Sequence, residues 1–121
     1  MTPTKNALYV ISPYKIEGQW VFDDSSKGLE REPLVCGADI LCSQLFKKYG
    51  DFNLIFSDNK LPKFDFHLKK HTSKTDLDMT NGTWYKVAGS DLDVWLCPAL
   101  FRYYDKAPEN LYIKGNSKNE S

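Results

Sequence analysis

The chain has 121 residues, enough for one domain with a substantial core and too few for two comfortable ones. Sixteen basic and sixteen acidic residues cancel to a formal charge of zero, which removes the electrostatic footprint of a general nucleic-acid binder that works through phosphate contacts. A hydrophobic fraction of 41%, with seven Phe, seven Tyr and three Trp, excludes a disordered chain, because that much apolar surface offsets the entropy of ordering.

The first strand signal covers residues 7–14, and a second covers residues 19–22. Both are rich in β-branched and aromatic residues, and Lys15-Ile16-Glu17-Gly18 between them predicts a hairpin with a four-residue connection. A polar loop follows over residues 23–33, long enough to act as a binding surface. Next, Ala38, Leu41, Cys42, Leu45, Phe46 and Tyr49 recur on one face of a helix over residues 38–49, which Lys47, Lys48 and Gly50 close. Residues 52–56 return to strand composition and break at Ser57-Asp58-Asn59. Phe64, Phe66 and Leu68 alternate with Asp65, His67 and Lys69, the pattern of a strand with one buried and one wet face. The hydrophilic run 69–82, with turn chemistry at Asn81-Gly82, connects to a strand at residues 83–87. A short helix is expected at residues 98–106, opened by Pro98 and stopped by Pro108, then a last strand at 111–114. This order is no regular βαβ alternation. It predicts a single α+β domain over residues 1–114, a mainly antiparallel sheet of five to six strands with two helices on one face, and a flexible polar tail at 115–121.

No segment approaches the roughly 20 apolar residues of a membrane span, and the first residues lack the apolar run of a signal peptide. A cytoplasmic location is expected. Three cysteines without Cys-x-x-Cys spacing fit that compartment as reduced thiols.

Four features carry chemistry. Cys97 precedes Pro98 at the electropositive start of the second predicted helix, where a thiolate is favoured, and is the candidate catalytic residue. Cys36 sits ahead of Gly37 at the start of the first helix, and Cys42 lies on its apolar face. The acidic cluster Asp23, Asp24, Glu30 and Glu32 offers carboxylates for a ligand or for acid–base work, with Asp24 and Glu32 flanking Gly28 and leading into Pro33; its spacing matches no calcium loop. Trp20, Trp84 and Trp95 supply aromatic surface. Core packing is the default for large aromatics in a small domain, and Trp20, which leads into the polar loop, is the expected exception. His67 and His71 would lie about 13 Å apart on one strand face, too far to share a metal. No metal and no cofactor are expected, and no phosphate-binding glycine loop or Ser-His-Asp arrangement is present.

Together Pro13-Tyr14, Gly18, Trp20-Val21-Phe22-Asp23-Asp24, Gly28-Leu29, Glu32-Pro33 and Gly37, and downstream Trp95-Leu96-Cys97-Pro98-Ala99-Leu100, Tyr104, Ala107-Pro108 and Tyr112, resemble a small bacterial and phage-associated domain family of unknown function. The chain departs from that pattern at Cys36 and in the Lys-rich stretch after His67. The resemblance spans nearly the whole chain and implies a compact cytoplasmic domain, with no catalytic residue attached.

The leading expectation is a non-enzymatic module that binds a small ligand or a partner protein through Trp20, Asp23, Asp24, Glu32 and Trp95. The alternative is a small hydrolase or group-transfer enzyme using Cys97 or the Asp24 and Glu32 carboxylates. A third class, an inhibitory or structural partner for a host or phage protein, would present an exposed apolar patch.

Overall fold

The structure, a computed structural model, describes residues 8–22, 34–35, 37–71, 83–96 and 107–118. In chain order the elements are β1 (Leu8–Ile11), β2 (Tyr14–Ile16), β3 (Gln19–Phe22), β4 (Leu34–Val35), α1 (Asp39–Tyr49), β5 (Phe52–Ser57), β6 (Phe66–Lys70), β7 (Thr83–Val87), β8 (Asp93–Leu96) and β9 (Asn110–Ser117). Six strands form one sheet in the order β1-β5-β9-β6-β7-β8, and β2-β3-β4 form a second; every pair is antiparallel.

The expected first strand is two strands. Ser12 and Pro13 interrupt it: β1 pairs with β5, whereas Tyr14 begins the small sheet. A proline cannot donate to a ladder, so it suits the point where the chain leaves one sheet for another. The hairpin connection also shortens from four residues to two. Lys15 and Ile16 pair with Trp20 and Gln19, and the turn is Glu17-Gly18, both at positive φ (50° and 81°), the backbone that matches strand twist in two-residue hairpins. Strand β4, which the sequence reading did not anticipate, pairs with β3 through Val21↔Val35 and Phe22↔Leu34.

Helix α1 forms nearly where the 3.6-residue period places it. Leu41, Cys42 and Leu45 are its buried stripe, Asp39 lies in the first turn, and Lys47 and Lys48 lie in the last, charges that complement the helix dipole. Gly50 ends it at φ 73°, its N–H donating to the Phe46 carbonyl (2.8 Å). It is the one helix among the described residues. The second expected helix, residues 98–106, lies outside them, so the two-helix expectation is not matched.

The long sheet reads as alternation made solid. Phe52, Leu54 and Phe56 of β5 and Leu111, Ile113 and Gly115 of β9 are buried and form, with Leu41, Cys42 and Leu45, the core between sheet and helix. Strand β9 continues to Ser117, so residues 115–117 belong to the sheet; the expectation of a polar tail from Gly115 is corrected there. Strand β8 has no counterpart in the expected elements, because Trp95-Leu96 reads as the approach to a helix; instead Trp95 pairs with Trp84 of β7. Tyr85, fully buried, donates its hydroxyl to the Pro108 carbonyl (2.7 Å), the partner a buried phenol requires.

One carboxylate ties these parts together. Strand β6 begins at Phe66, opposite Ile113, so the ladder stops before it can reach the Gly115 N–H. The side chain of Asp65, only 7% exposed, takes over: Oδ2 accepts that N–H (2.8 Å), both oxygens accept from the Tyr49 hydroxyl (3.1 Å each), and Oδ1 accepts from Lys48 Nζ (2.7 Å). This hydrogen bond with Asp65 is also the main cause that raises the Lys48 pKa. The last turn of α1 is thereby pinned to β9, and the residues that follow it are placed for the cavity described next.

Candidate functional site

A cavity of about 330 Å³ opens where the β2–β3 hairpin meets the end of α1. Its base is aromatic. Trp20 and Phe52 are 4% and 1% exposed and lie 5.5 Å apart between ring centroids; Phe46, 45% exposed, meets Trp20 edge-on at 5.9 Å. The topology explains this convergence: Trp20 comes from the central strand of the small sheet, Phe46 from the last full turn of α1, and Phe52 from the first residue of β5 just beyond Gly50. Pro13, Tyr14 and Lys15 close the hairpin side, and Asp51 and Lys118 lie opposite, joined by the Lys118 N–H donating to the Asp51 carbonyl (2.9 Å).

Two features of the cavity bear on chemistry. Lys15 places its ammonium 4.9 Å from the centre of the Trp20 ring and 5.9 Å from that of Phe46, a cation–π seat between two rings. The Trp20 indole Nε1–H is buried and has no acceptor among the described residues, and an unpaired buried donor costs about 1–3 kcal/mol.

Trp20 thus enters the site from the core and not as the exposed aromatic the sequence suggested. Trp95 does not join it. That residue is half-buried on β8, where the Gly37 backbone bridges to it and a Cβ at Gly37 would come within 3.1 Å of the Trp95 Cβ. The aromatic base of this cavity is made by Trp20, Phe46 and Phe52. Sequence reasoning missed Phe46, because a phenylalanine in register with a helix's apolar stripe reads as core. Asp23, Asp24, Glu30 and Glu32 lie outside the described residues, as do Cys36 and Cys97.

The described thiol, Cys42, is 1% exposed, and burial, with a smaller contribution from the Asp39 charge, pushes it up to about 12. A thiol held protonated is no nucleophile at neutral pH. Its folded-state pKa lies above the ordinary 9.0, so the unfolded chain releases the proton first and stability falls as pH rises from about 9 towards 12. Denaturant titrations of the parent and of Cys42→Ala should diverge across that window, the parent losing up to about 1.4 kcal/mol more per pH unit. Parallel profiles would show that the thiol is not buried in this way.

The histidines have separate partners. His67 stacks on Tyr112 (centroids 4.5 Å apart, planes 15° apart) and donates from Nε2 to Asn110 Oδ1 (3.0 Å), while His71 Nε2 donates to Asp93 Oδ1 (2.6 Å). Among the described residues no group of three or more His, Cys, Asp or Glu side chains converges to hold a metal, and no helix is long and apolar enough to cross a membrane. Two further hollows of about 400 Å³ lie on the surface, one against the β7–β8 turn and one along residues 60–64. Their walls come from single surface segments and their neighbours, without an aromatic base drawn from the core.

The fold and site define a small antiparallel α+β domain whose described residues hold an aromatic-based cavity between elements of its two sheets and its helix. The chain belongs to a family of unknown function, DUF6717, whose model matches residues 7–116. No curated protein and no solved structure matches it.

Proposed function

We propose that the protein is a binding module whose ligand, a small organic molecule, occupies the cavity over Trp20. The observation that carries this reading is a core tryptophan that lines a cavity and whose buried N–H has no acceptor among the described residues. Folding normally satisfies such a donor, and an unsatisfied one beside a cavity marks a place where a ligand atom or an ordered water completes the structure. The size agrees, since 330 Å³ lies at the small end of pockets that take organic ligands, and apolar walls with a few polar groups are their usual make-up. The balanced charge of the chain favours a small ligand over nucleic acid.

Thermal-shift measurements against a panel of small aromatic and aliphatic metabolites test this. A compound at 100 times its dissociation constant adds about 2.7 kcal/mol to native stability. The expected result is a hit whose shift is lost in Phe46→Ser, a substitution at a half-exposed position that leaves the core intact. Hits indifferent to Phe46→Ser, or a panel without hits, would overturn the reading.

A further inference from the structure

We infer that the cavity selects a small organic anion, a flat apolar body carrying a carboxylate; this rests on reading the cavity as the binding site. The charged residues that line it are unequal in sign, Lys15 and Lys118 against Asp51. Neither lysine is committed elsewhere: among the described residues neither makes an ion pair, and the Lys15 ammonium rests on the faces of Trp20 and Phe46. A cation–π contact at an exposed site is worth only about 0.5–1 kcal/mol, less than a charge-assisted hydrogen bond to a carboxylate, so an entering anion draws Lys15 off the rings at small cost.

That displacement has a second consequence. The Lys15 ammonium lies over a face of the Trp20 ring, which Phe46 and Phe52 also flank. When the ammonium swings to the carboxylate, the indole face it leaves accepts the flat body of the ligand. A neutral ligand of the same shape fills the cavity without recruiting Lys15. A cationic one competes with Lys15 for the same rings and meets two ammoniums of like charge.

Calorimetric titration with benzoate, benzamide and benzyltrimethylammonium at low and at moderate salt separates these cases. Benzoate is expected to bind at least tenfold tighter than benzamide, with the cation weakest. Lys15→Met and Lys118→Met should each lower the ratio of benzoate to benzamide affinity, and added salt should weaken benzoate more than benzamide. Equal binding of benzoate and benzamide, or tighter binding of the cation, would overturn the anion preference and leave the cavity as a binding site. Failure of all three probes, in a protein shown to be folded by its melting transition, would overturn both.

Discussion

Replacing Asp65 by alanine is expected to destabilise the protein by about 3 kcal/mol, lowering the melting midpoint by about 10 °C. The size follows from what the carboxylate leaves behind. Without it the Gly115 N–H and the Tyr49 hydroxyl lose their acceptor in a part-buried setting, and hydrogen bonds to a charged group are worth about twice neutral ones. The Lys48 ammonium, 62% exposed, returns to water at little cost, so Lys48→Met should move the midpoint far less. Asp65→Asn keeps a carbonyl oxygen for the Gly115 N–H and should fall between the two. Chemical denaturation of the three variants checks the order. A loss below about 1 kcal/mol in Asp65→Ala would mean that helix and strand are not joined through this side chain.

The second large effect is expected at Gly115. Helix α1 crosses β9 so closely here that an added Cβ would stand 3.0 Å from Leu45 Cδ2 and from the Tyr49 ring carbons Cδ2 and Cε2. Alanine must push these groups aside, and valine adds two more carbons in the same space, so overpacking of about 1–3 kcal/mol is expected, with valine at the upper end. Shrinking the opposing side chain should relieve it: Gly115→Val combined with Leu45→Ala should be less damaging than the sum of the single changes, with a coupling of at least about 0.5 kcal/mol. Strict additivity would show that the helix does not pack on Gly115. The pair Asp65 and Gly115 thus sets how the end of α1 sits, and with it the position of Phe46 in the cavity.

How much of this was readable from the residues depended on the range of the signal. Helix α1, strands β5 and β7 and the middle half of β9 follow from local periodicity, and the structure places them within a few residues of expectation. Pairing is non-local. Nothing in residues 110–117 says that β9 inserts between β5 and β6, and nothing in residues 8–16 says that the chain changes sheets at Pro13. The same limit governed single residues. Asp65 alternates with Phe64 and Phe66 and so reads as the wet face of a strand, yet the gap left by the end of the β6 ladder draws it inward. Lys15 and Ile16 read as turn residues because a four-residue connection and a two-residue turn differ only in register. Of the site, Trp20 was legible as a residue of interest, but its partners Phe46 of α1, Phe52 of β5 and Lys118 just past β9 are joined only by tertiary structure.

The cavity over Trp20 is the centre of the account, and proton–nitrogen correlation spectra of the uniformly labelled protein, titrated with benzoate, test it most directly. The indole N–H of Trp20, assigned through Trp20→Phe, is expected to shift together with the backbone amides of Lys15, Phe46, Asp51, Phe52 and Lys118, while the indole signals of Trp84 and Trp95 stay in place. Shifts confined to other surfaces, or a Trp20 indole signal that does not respond while the protein binds benzoate, would contradict it.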